Sequence, residues 1–246
     1  MSGTCTITPM LYSLFFYLKF WLFMIITLPM IIPLWIFRLL GLRKISERYL
    51  LWTTASWARF VFITTPAKIS VLGIENLPIG GNLVFVANHQ SAYDIPLIMA
   101  VIPRNLGFIT KKELAFVPLL SSWMRAMKCV FIDRSSPRKA KTGIDVAIKN
   151  LRSGHCMVVF PEGTRSRGPK VGDFHLGSLQ IPYRAGSTIV PLTIKDTYTL
   201  REEQDRIRPG SVELIIHPPI STEGLTKQEL KGLSTQLRDR IAGGLL

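Results

Sequence analysis

The feature that most constrains this chain is a long apolar run near its N-terminus. Residues 20–37, 18 in number, carry no charged side chain, and Lys19 is the only charge between residues 10 and 37. As one helix, such a run would be about 27 Å long, slightly short of a hydrocarbon core of roughly 30 Å. Pro29 and Pro33 lie inside the run and are expected to kink or break it. A straight membrane span is therefore a poorer fit than a bent one.

A second apolar segment, residues 49–63, is rich in tryptophan and phenylalanine. Together the two segments favour helices that dip into one leaflet, a monotopic anchor, with a transmembrane helix as the alternative. A buried core helix is a third interpretation. A cleaved signal peptide is a fourth, but the run lacks the basic start and the small-residue exit of such peptides. Basic residues follow the run directly, which favours a cytoplasmic location for the rest of the chain and suits anionic headgroups. They are Arg38, Arg43, Lys44 and Arg48.

The composition narrows the class of protein. With 48% hydrophobic and 19% charged residues, the chain does not have the polar composition of a disordered protein. Its 30 Lys and Arg outnumber its 16 Asp and Glu, and the net charge of +14 indicates anionic partners: a phospholipid surface, a phosphorylated substrate or nucleic acid. Cys5, Cys129 and Cys156 are widely spaced, which indicates neither a disulfide framework nor a zinc site and favours a reducing compartment.

Beyond residue 65, strand-like runs alternate with helical periods. The predicted strands are 68–72, 83–87, 106–110, 129–132, 157–160, 188–194 and 212–217, and the predicted helices are 95–101, 138–151 and 227–242. This alternation predicts an α/β domain whose central, largely parallel sheet is flanked by helices. We therefore expect two parts: membrane-anchoring helices in residues 1–65 and the α/β domain in residues 66–246.

A polar cluster follows the second predicted strand, in residues 88–94 (Asn-His-Gln-Ser-Ala-Tyr-Asp). Within one helix, residues five apart are separated by about 140°, so His89 and Asp94 would not share a face. They can meet if His89 stands at the strand end and Asp94 reaches back from the loop or from a first helical turn begun near Pro96. That geometry is typical of a general base oriented by a carboxylate. A purely structural hydrogen bond is the alternative.

The rest of the sequence limits the chemistry that this pair could perform. The sequence contains no Gly-x-Ser-x-Gly elbow and no cysteine beside a base, so the pair would activate a substrate hydroxyl directly. His155, His175 and His217 show no ligand spacing to His89. We therefore expect no metal site.

A second polar loop follows the strand predicted at residues 157–160. Arg165 and Arg167 offer planar guanidinium groups suited to phosphate. Glu162 would accept a hydrogen bond from a hydroxyl-bearing substrate or hold an arginine, and an ordinary charged turn is the alternative. Because the ends of successive parallel strands share a crevice, we expect this loop to face His89.

Four blocks of sequence carry a family resemblance when they are taken in order. They are residues 88–94, residues 111–114 (Lys-Lys-Glu-Leu) with 131–134 (Phe-Ile-Asp-Arg), residues 160–165 (Phe-Pro-Glu-Gly-Thr-Arg), and residues 190–191 (Val-Pro). Over roughly residues 70–220 the chain resembles the glycerolipid acyltransferases, specifically the 1-acyl-glycerol-3-phosphate acyltransferases of the PlsC type. The fold of that family is an α/β sheet domain with a membrane-embedded pair of N-terminal helices, which agrees with the anchor inferred above.

The resemblance implies an activity and its residues. A fatty acyl group would pass from acyl carrier protein or coenzyme A, as a thioester co-substrate, to the sn-2 hydroxyl of lysophosphatidate, with no acyl-enzyme and no further cofactor. His89 would be the base and Asp94 its orienting partner. The residues implied to bind substrate are Lys112, Arg134, Glu162, Gly163, Thr164, Arg165 and Pro191.

The resemblance also implies a location and a specificity element. The enzyme would lie on the inner cell membrane with its catalytic domain on the cytoplasmic face. Related enzymes measure the acyl chain in a hydrophobic tunnel, for which residues 115–120 and Trp123 are candidates here. The second block of the family usually has glycines where this chain has Ser121 and Lys128. These two positions are expected to set how closely a helix approaches the sheet, and hence the acyl-chain preference.

Two other functions remain open from the sequence. The first is an enzyme of the same fold and mechanism that acts on another lysolipid acceptor. A non-enzymatic, basic protein that binds a membrane surface or nucleic acid is supported by the net charge alone. The chain has no zinc knuckle or RNA-recognition signature, and its aromatic residues concentrate in the apolar N-terminal segments rather than among the basic ones. We therefore expect no nucleic-acid partner.

Overall fold

The computed structural model of the protein describes residues 7–65, 67–133 and 135–246. The α-helices are α1 (Ile7–Thr27), α2 (Ile31–Leu39), α3 (Arg43–Thr64), α4 (Asp94–Val101), α5 (Leu120–Ala126), α6 (Pro137–Arg152), α7 (Leu176–Ala185) and α8 (Lys227–Gly243). The strands are β1 (Ala67–Leu72), β2 (Leu83–Ala87), β3 (Leu106–Lys111), β4 (Val130–Ile132), β5 (Cys156–Val159), β6 (Thr188–Lys195), β7 (Gly210–Ile216) and β8 (Ile220–Ser221). Short 3-10 helices cover Leu28–Met30, Ile74–Asn76, Lys112–Phe116 and Thr197–Leu200.

The strands form one mixed, mostly parallel sheet in the order β1-β7-β6-β2-β5-β3-β4, with β8 paired to β6. Strand β6 runs antiparallel to β7 and to β8, and the other neighbouring strands are parallel. The predicted α/β fold with a largely parallel sheet is confirmed. All five residues of the central strand β2 are buried, as expected for a strand covered on both faces.

Helices cover both faces of this sheet. Because successive side chains of a strand point to opposite faces, Phe85 and Val84 of β2 belong to two different cores. Phe85 packs in the core that contains Leu97 of α4 and side chains of the N-terminal helices. Val84 packs in the core formed with α6, α7 and α8, for example with Leu151 and Leu237. The loops after β2 and β5 therefore emerge between two packed helical layers.

The N-terminal segment is bent where the sequence predicts it. Pro29 lies in the 3-10 turn that separates α1 from α2, while Pro33 lies in the first turn of α2, where a missing N–H is tolerated. Helix α3 then packs beside α1, since the rings of Phe23 and Phe60 are stacked with their centroids 4.0 Å apart. The result is a bent helix followed by a second long helix.

The N-terminal helices have one face against the sheet and another that is free. Phe16, Met24 and Leu34 are buried in the same core as strand residues. The stretch Ser13–Leu39 nevertheless spans 27 residues, is long and apolar enough to cross a membrane, and is little buried. Its exposed apolar side chains include Leu14, Leu18, Leu22, Ile26, Ile32, Trp35 and Leu39. The division of the chain at residues 65 and 66 stays a prediction.

Candidate active site

His89 and Asp94 meet at the end of the central strand. His89 stands two residues after β2, and Asp94 is the first residue of α4. The distance between His89 Nδ1 and Asp94 Oδ2 is 2.7 Å. The loop between them folds back on the same oxygen, which accepts from the backbone N–H groups of Gln90 and Ser91 at 2.7 and 2.9 Å. The contact expected from the sequence is therefore formed through a loop and not along a helix.

The Asp94 carboxylate is fully buried, and its second oxygen also has a donor. Oδ1 accepts a hydrogen bond from the hydroxyl of Thr197, which begins the 3-10 helix after β6 and is itself buried. Because buried polar groups need partners, these bonds hold the carboxylate in one orientation towards the histidine ring. With Nδ1–H of His89 donating to Asp94, the ring nitrogen Nε2 carries the free lone pair.

The loop after β5 holds the backbone and ring of His89. The N–H of His89 donates to Glu162 Oε1 at 2.8 Å, and its carbonyl accepts from the Ser166 N–H at 2.8 Å. The imidazole ring stacks on Phe160, with 4.0 Å between centroids and 17° between planes. Since β2 and β5 are parallel neighbours, the two polar loops meet at one edge of the sheet, as the sequence predicts.

The Glu162 carboxylate is bound to two backbone N–H groups, and the substrate-binding role that the resemblance implies for it stays a prediction. Its side chain is buried and does not line the cavity described below. Besides the His89 N–H, the carboxylate binds the Gly172 N–H through Oε2 at 2.9 Å, and a Cβ at Gly172 would lie 2.9 Å from the same oxygen. Burial raises the pKa of Glu162, while the hydrogen bonds from these two backbone groups oppose that rise. Glu162 thus links two loops and positions His89.

His89 lines a cavity of about 1280 Å³ that extends between the N-terminal helices and the sheet. Most of its wall is aromatic or aliphatic and includes Phe16, Phe20, Trp57, Met99, Met124 and Met127. Of the predicted tunnel residues, Leu120 and Trp123 line the cavity, whereas Phe116 is 82% exposed. A cavity of this volume and apolar lining fits a ligand with a long hydrocarbon chain.

The loop after β5 and a later turn contribute arginines to the cavity wall. Gly163, Thr164 and Arg165 of the predicted set line it. Arg167, whose guanidinium the sequence also indicates for phosphate, lines it as well, and so does Arg201, which was not predicted. The wall near His89 therefore carries several guanidinium groups that suit an anionic ligand.

Lys112, one of the residues that the resemblance implies to bind substrate, is paired with a carboxylate. Its Nζ lies 2.9 Å from Asp133 Oδ2, and its neighbours Lys111 and Glu113 line the cavity while Lys112 does not. Hydrogen bonds from Ser135, followed by that from Lys112, hold the pKa of Asp133 well below its usual range. The same ion pair raises the pKa of Lys112. The structure thus places this lysine beside the cavity wall and in an ion pair.

Pro191 and Arg134 complete the predicted set. Pro191 lies in β6 opposite Val86 and does not line the cavity. Its missing N–H falls between the residues of β6 that pair with β8 and those that pair with β7, so a proline is tolerated inside this strand. Arg134 lies outside the described residues.

Two other kinds of chemistry would need a metal-binding cluster or a reactive thiol. Across residues 7–65, 67–133 and 135–246, no group of three or more His, Cys, Asp or Glu side chains gathers in an arrangement that would hold a metal ion. Cys129 lines the cavity, but burial in apolar surroundings raises the pKa of its thiol to about 12. This cysteine is therefore a poor nucleophile at neutral pH.

Besides Arg201, two site residues, Thr197 and Glu202, were not predicted from the sequence. The Glu202 side chain is 7% exposed, accepts from the Ser91 hydroxyl at 2.6 Å and from the Ala92 N–H at 2.9 Å, and thereby fixes the loop before Asp94. Both residues lie more than 100 positions after the loop that they contact. No spacing rule reveals such a contact, because it depends on the path of β6 beside β2.

Comparisons with known proteins agree with this geometry. A sequence model of the acyltransferase family matches residues 68–195. The 1-acyl-sn-glycerol-3-phosphate acyltransferase of Borreliella burgdorferi is 31% identical over 175 residues, which cover 71% of this chain and 70% of that protein. The protein of the same name from Saccharomyces cerevisiae is 30% identical over 181 residues, which cover 72% of this chain and 59% of the yeast protein. The crystal structure of the 1-acyl-sn-glycerophosphate acyltransferase PlsC from Thermotoga maritima matches with a TM-score of 0.81, at 30% identity and 96% coverage of both chains.

Proposed function

The chain belongs to the acyltransferase family, and from this premise we propose that it transfers a fatty acyl group from an acyl thioester to the sn-2 hydroxyl of lysophosphatidate, giving phosphatidate. The observation that carries the proposal is the position of His89, held by Asp94 in the wall of a long apolar cavity. The relatives and the matching crystal structure bear the name of this activity, which supports the same acceptor for this chain.

The proposed reaction follows from the orientation of the His89 ring. Nε2 takes the proton of the sn-2 hydroxyl while the hydroxyl oxygen attacks the thioester carbonyl carbon. Asp94 stabilises the imidazolium that forms, because its carboxylate already accepts from Nδ1–H. The tetrahedral intermediate then loses the C–S bond, and the departing thiolate takes the proton back from His89. Every proton is accounted for without an acyl-enzyme, a metal or a further cofactor.

The two ends of the acceptor would bind to two different parts of the cavity wall. The acyl chain suits the apolar wall between α1, α3 and the sheet, and the phosphate suits the arginines near His89. Arg165 is the predicted residue in that position, since its guanidinium lies in the cavity wall, 40% exposed and 3.4 Å from Glu202. A guanidinium binds phosphate through paired N–H groups, so the arginines would attract the phosphate by charge and fix its orientation.

Membrane attachment is part of the same proposal. The exposed apolar side chains of α1 and α2 would insert into one leaflet, as a monotopic anchor on the cytoplasmic face of the cell membrane. Phe16, Phe20 and Trp57 of the N-terminal helices also line the cavity. A lipid acceptor would therefore enter from the bilayer with its acyl chain in apolar surroundings throughout. A transmembrane arrangement of the same helices is the alternative outcome.

The test is acyl transfer in mixed micelles with labelled acyl thioesters of acyl carrier protein and of coenzyme A, each in a separate reaction. The acceptors are lysophosphatidate, lysophosphatidylcholine and monoacylglycerol with the same acyl chain. We expect labelled phosphatidate from lysophosphatidate and little product from the other two. Faster transfer to another lysolipid would reassign the acceptor, and no transfer to any acceptor by the folded protein would overturn the proposal. The two donor reactions decide which carrier is used.

A further inference from the structure

The turn that follows the 3-10 helix Thr197–Leu200 places Arg201 in the cavity wall. This residue belongs to none of the four sequence blocks, and it lies beyond residues 68–195, which the family model matches. We propose that Arg201 binds the phosphate of the acceptor together with Arg165. The inference rests on the function proposed above and assigns the headgroup site to a pair of arginines.

Glu202 connects Arg165 to the turn that carries Arg201. Its Oε1 accepts from the Ala92 N–H at 2.9 Å and lies 3.4 Å from a guanidinium nitrogen of Arg165, and its Oε2 accepts from the Ser91 hydroxyl. The buried carboxylate thus joins the loop of the catalytic base to Arg165. Because Arg201 is the adjacent residue in the chain, its backbone is fixed at the same junction.

The Arg201 side chain is also restrained before any ligand binds. Its guanidinium carbon lies 5.7 Å from the ring centroid of Tyr17 in α1, a cation–π contact. On the backbone, the preceding residue Leu200 is fully buried, and its carbonyl accepts from the Arg208 N–H at 2.9 Å. Because the ring contact restrains the side chain and the buried turn restrains the backbone, Arg201 loses less freedom when it binds an anion. The site is therefore preorganised.

Charge balance favours a second arginine at this position. A phosphate monoester carries between one and two negative charges at neutral pH, and it is bound best by several guanidinium donors. Arg165 is paired with the Glu202 carboxylate, whose negative charge offsets its own. Lys112 is paired with Asp133 and does not line the cavity. Arg201 adds a positive charge to the cavity wall, in which Lys111 and Arg167 also lie, and its guanidinium packs on the Tyr17 ring.

The experiment compares Arg201→Gln with Arg208→Gln, which makes the same change of charge seven residues later in the chain, outside the cavity wall. We expect Arg201→Gln to raise the KM and the Kd for lysophosphatidate roughly 10- to 100-fold, the effect of one lost hydrogen-bonded charge, with kcat changed by less than about threefold. Arg208→Gln should change both constants by less than about twofold. Arg201→Lys should fall between Arg201→Gln and the unchanged protein, because it keeps the charge without the planar fork.

A neutral ligand separates phosphate binding from packing against Tyr17. Binding of monoacylglycerol, followed by the fluorescence of Trp57 and Trp123 in the cavity wall, should be the same in Arg201→Gln and in the unchanged protein. Equal weakening of both ligands, or unchanged lysophosphatidate binding, would overturn the inference. If the unchanged protein binds lysophosphatidate through Arg201 but does not acylate it, the proposed function fails while the headgroup site stands. If the unchanged protein does not bind lysophosphatidate, both fail.

Discussion

His89 is restrained at four points: its N–H, its carbonyl, its Nδ1 and one face of its ring. Such restraint places the free ring nitrogen in one position before substrate arrives, which lowers the entropy lost on reaching the transition state. The partners come from two separate loops, after β2 and after β5, and a third loop, after β6, holds Asp94 through Thr197. The ends of three strands therefore contribute to the position of the base.

The hydroxyl of Thr197 should matter chiefly through Asp94, because its other contact, with Gln90 Oε1, is longer, at 3.4 Å. In Thr197→Val, Oδ1 of Asp94 loses its donor inside the core, so the carboxylate orients the imidazole less well. We expect kcat to fall about tenfold with KM nearly unchanged. Thr199→Val is the matched control, because the Thr199 hydroxyl donates to the Asp196 carbonyl in the same turn and has no contact with the carboxylate. A rise in KM with constant kcat would contradict the positioning role.

His155 should make stability depend on pH. Burial lowers its pKa from 6.5 to about 4, and the ring is hydrogen-bonded to the Met127 carbonyl. As the pH falls, the unfolded chain binds the proton first, so the free energy of unfolding falls between pH 6.5 and 4. Between pH 7 and 5 we expect a loss on the order of 2 kcal/mol from this residue, measured by urea unfolding. His155→Gln should reduce that loss, and the exposed His175→Gln should leave it unchanged.

At the residue scale, the sequence predicts what neighbouring positions share. The contact between His89 and Asp94 is predicted from their five-residue separation and the turn between them. The position of Arg165 is predicted from the polar loop that follows a strand. The pairing of Lys112 with Asp133 and the use of Glu162 on two backbone N–H groups could not be predicted, because each partner is brought in by another part of the fold. The substrate-binding roles that the resemblance implies for Lys112 and Glu162 stay predictions.

At the scale of elements, prediction succeeds where the local pattern decides the structure. The strand predicted at 83–87 coincides with β2, and the helix predicted at 227–242 differs from α8 by one residue. Helix α7 was not predicted, since it contains Pro182 and is stabilised by packing of Leu179 and Ile181 in the core. The two-residue strand β8 was also not predicted, because only its pairing with β6 defines it.

The end of α5 gives a physical reason for one departure from the family pattern. Lys128 has φ of +57°, the left-handed region that favours glycine. The Lys128 N–H donates to the Arg125 carbonyl and the Cys129 N–H to the Met124 carbonyl, which is the Schellman arrangement of a helix C-terminus. The missing glycine therefore affects the backbone conformation at this helix end. Its expected influence on acyl-chain preference stays a prediction.

Restoring the two glycines should have opposite effects on stability. Lys128→Gly relieves a left-handed residue and should raise the free energy of unfolding by about 1 kcal/mol. Ser121→Gly lies inside α5 and should lower it by about 0.5 kcal/mol, because glycine is the poorer helix former. Both values are measured by urea unfolding of the whole chain in detergent. A loss of stability in Lys128→Gly would contradict the strain assigned to this position.

At the scale of the whole molecule, the N-terminal helices have an inner face that is packed and an outer face that is exposed. Their inner side chains belong to the sheet core and the cavity wall, while their outer side chains are exposed and apolar. The sequence predicts the apolar run and its bend. It does not predict that Phe16 or Phe20 would line the site, because that contact joins segments far apart in the chain.

Membrane binding should depend on the outer face of α1. Leu14 and Leu18 are 63% and 62% exposed, and replacing both with arginine places charge where the leaflet would lie. We expect the fraction of protein that floats with phospholipid vesicles to fall at least tenfold, with the unfolding temperature nearly unchanged. Val146→Arg, at an exposed position of α6, is the control and should bind as the unchanged protein does. Undiminished flotation of the double variant would contradict an anchor at this face.

The role of His89 as the base is tested most directly by the single-turnover rate of acyl transfer to lysophosphatidate, for the unchanged protein and for His89→Ala at saturating substrates. We predict a rate about 10²- to 10⁴-fold lower in the variant, with lysophosphatidate binding and unfolding temperature retained. We also predict that the unchanged protein, given labelled acyl thioester without acceptor, acquires no covalent label. A variant that keeps a near-normal rate, or an acyl-labelled protein, would contradict direct transfer by the His89–Asp94 pair.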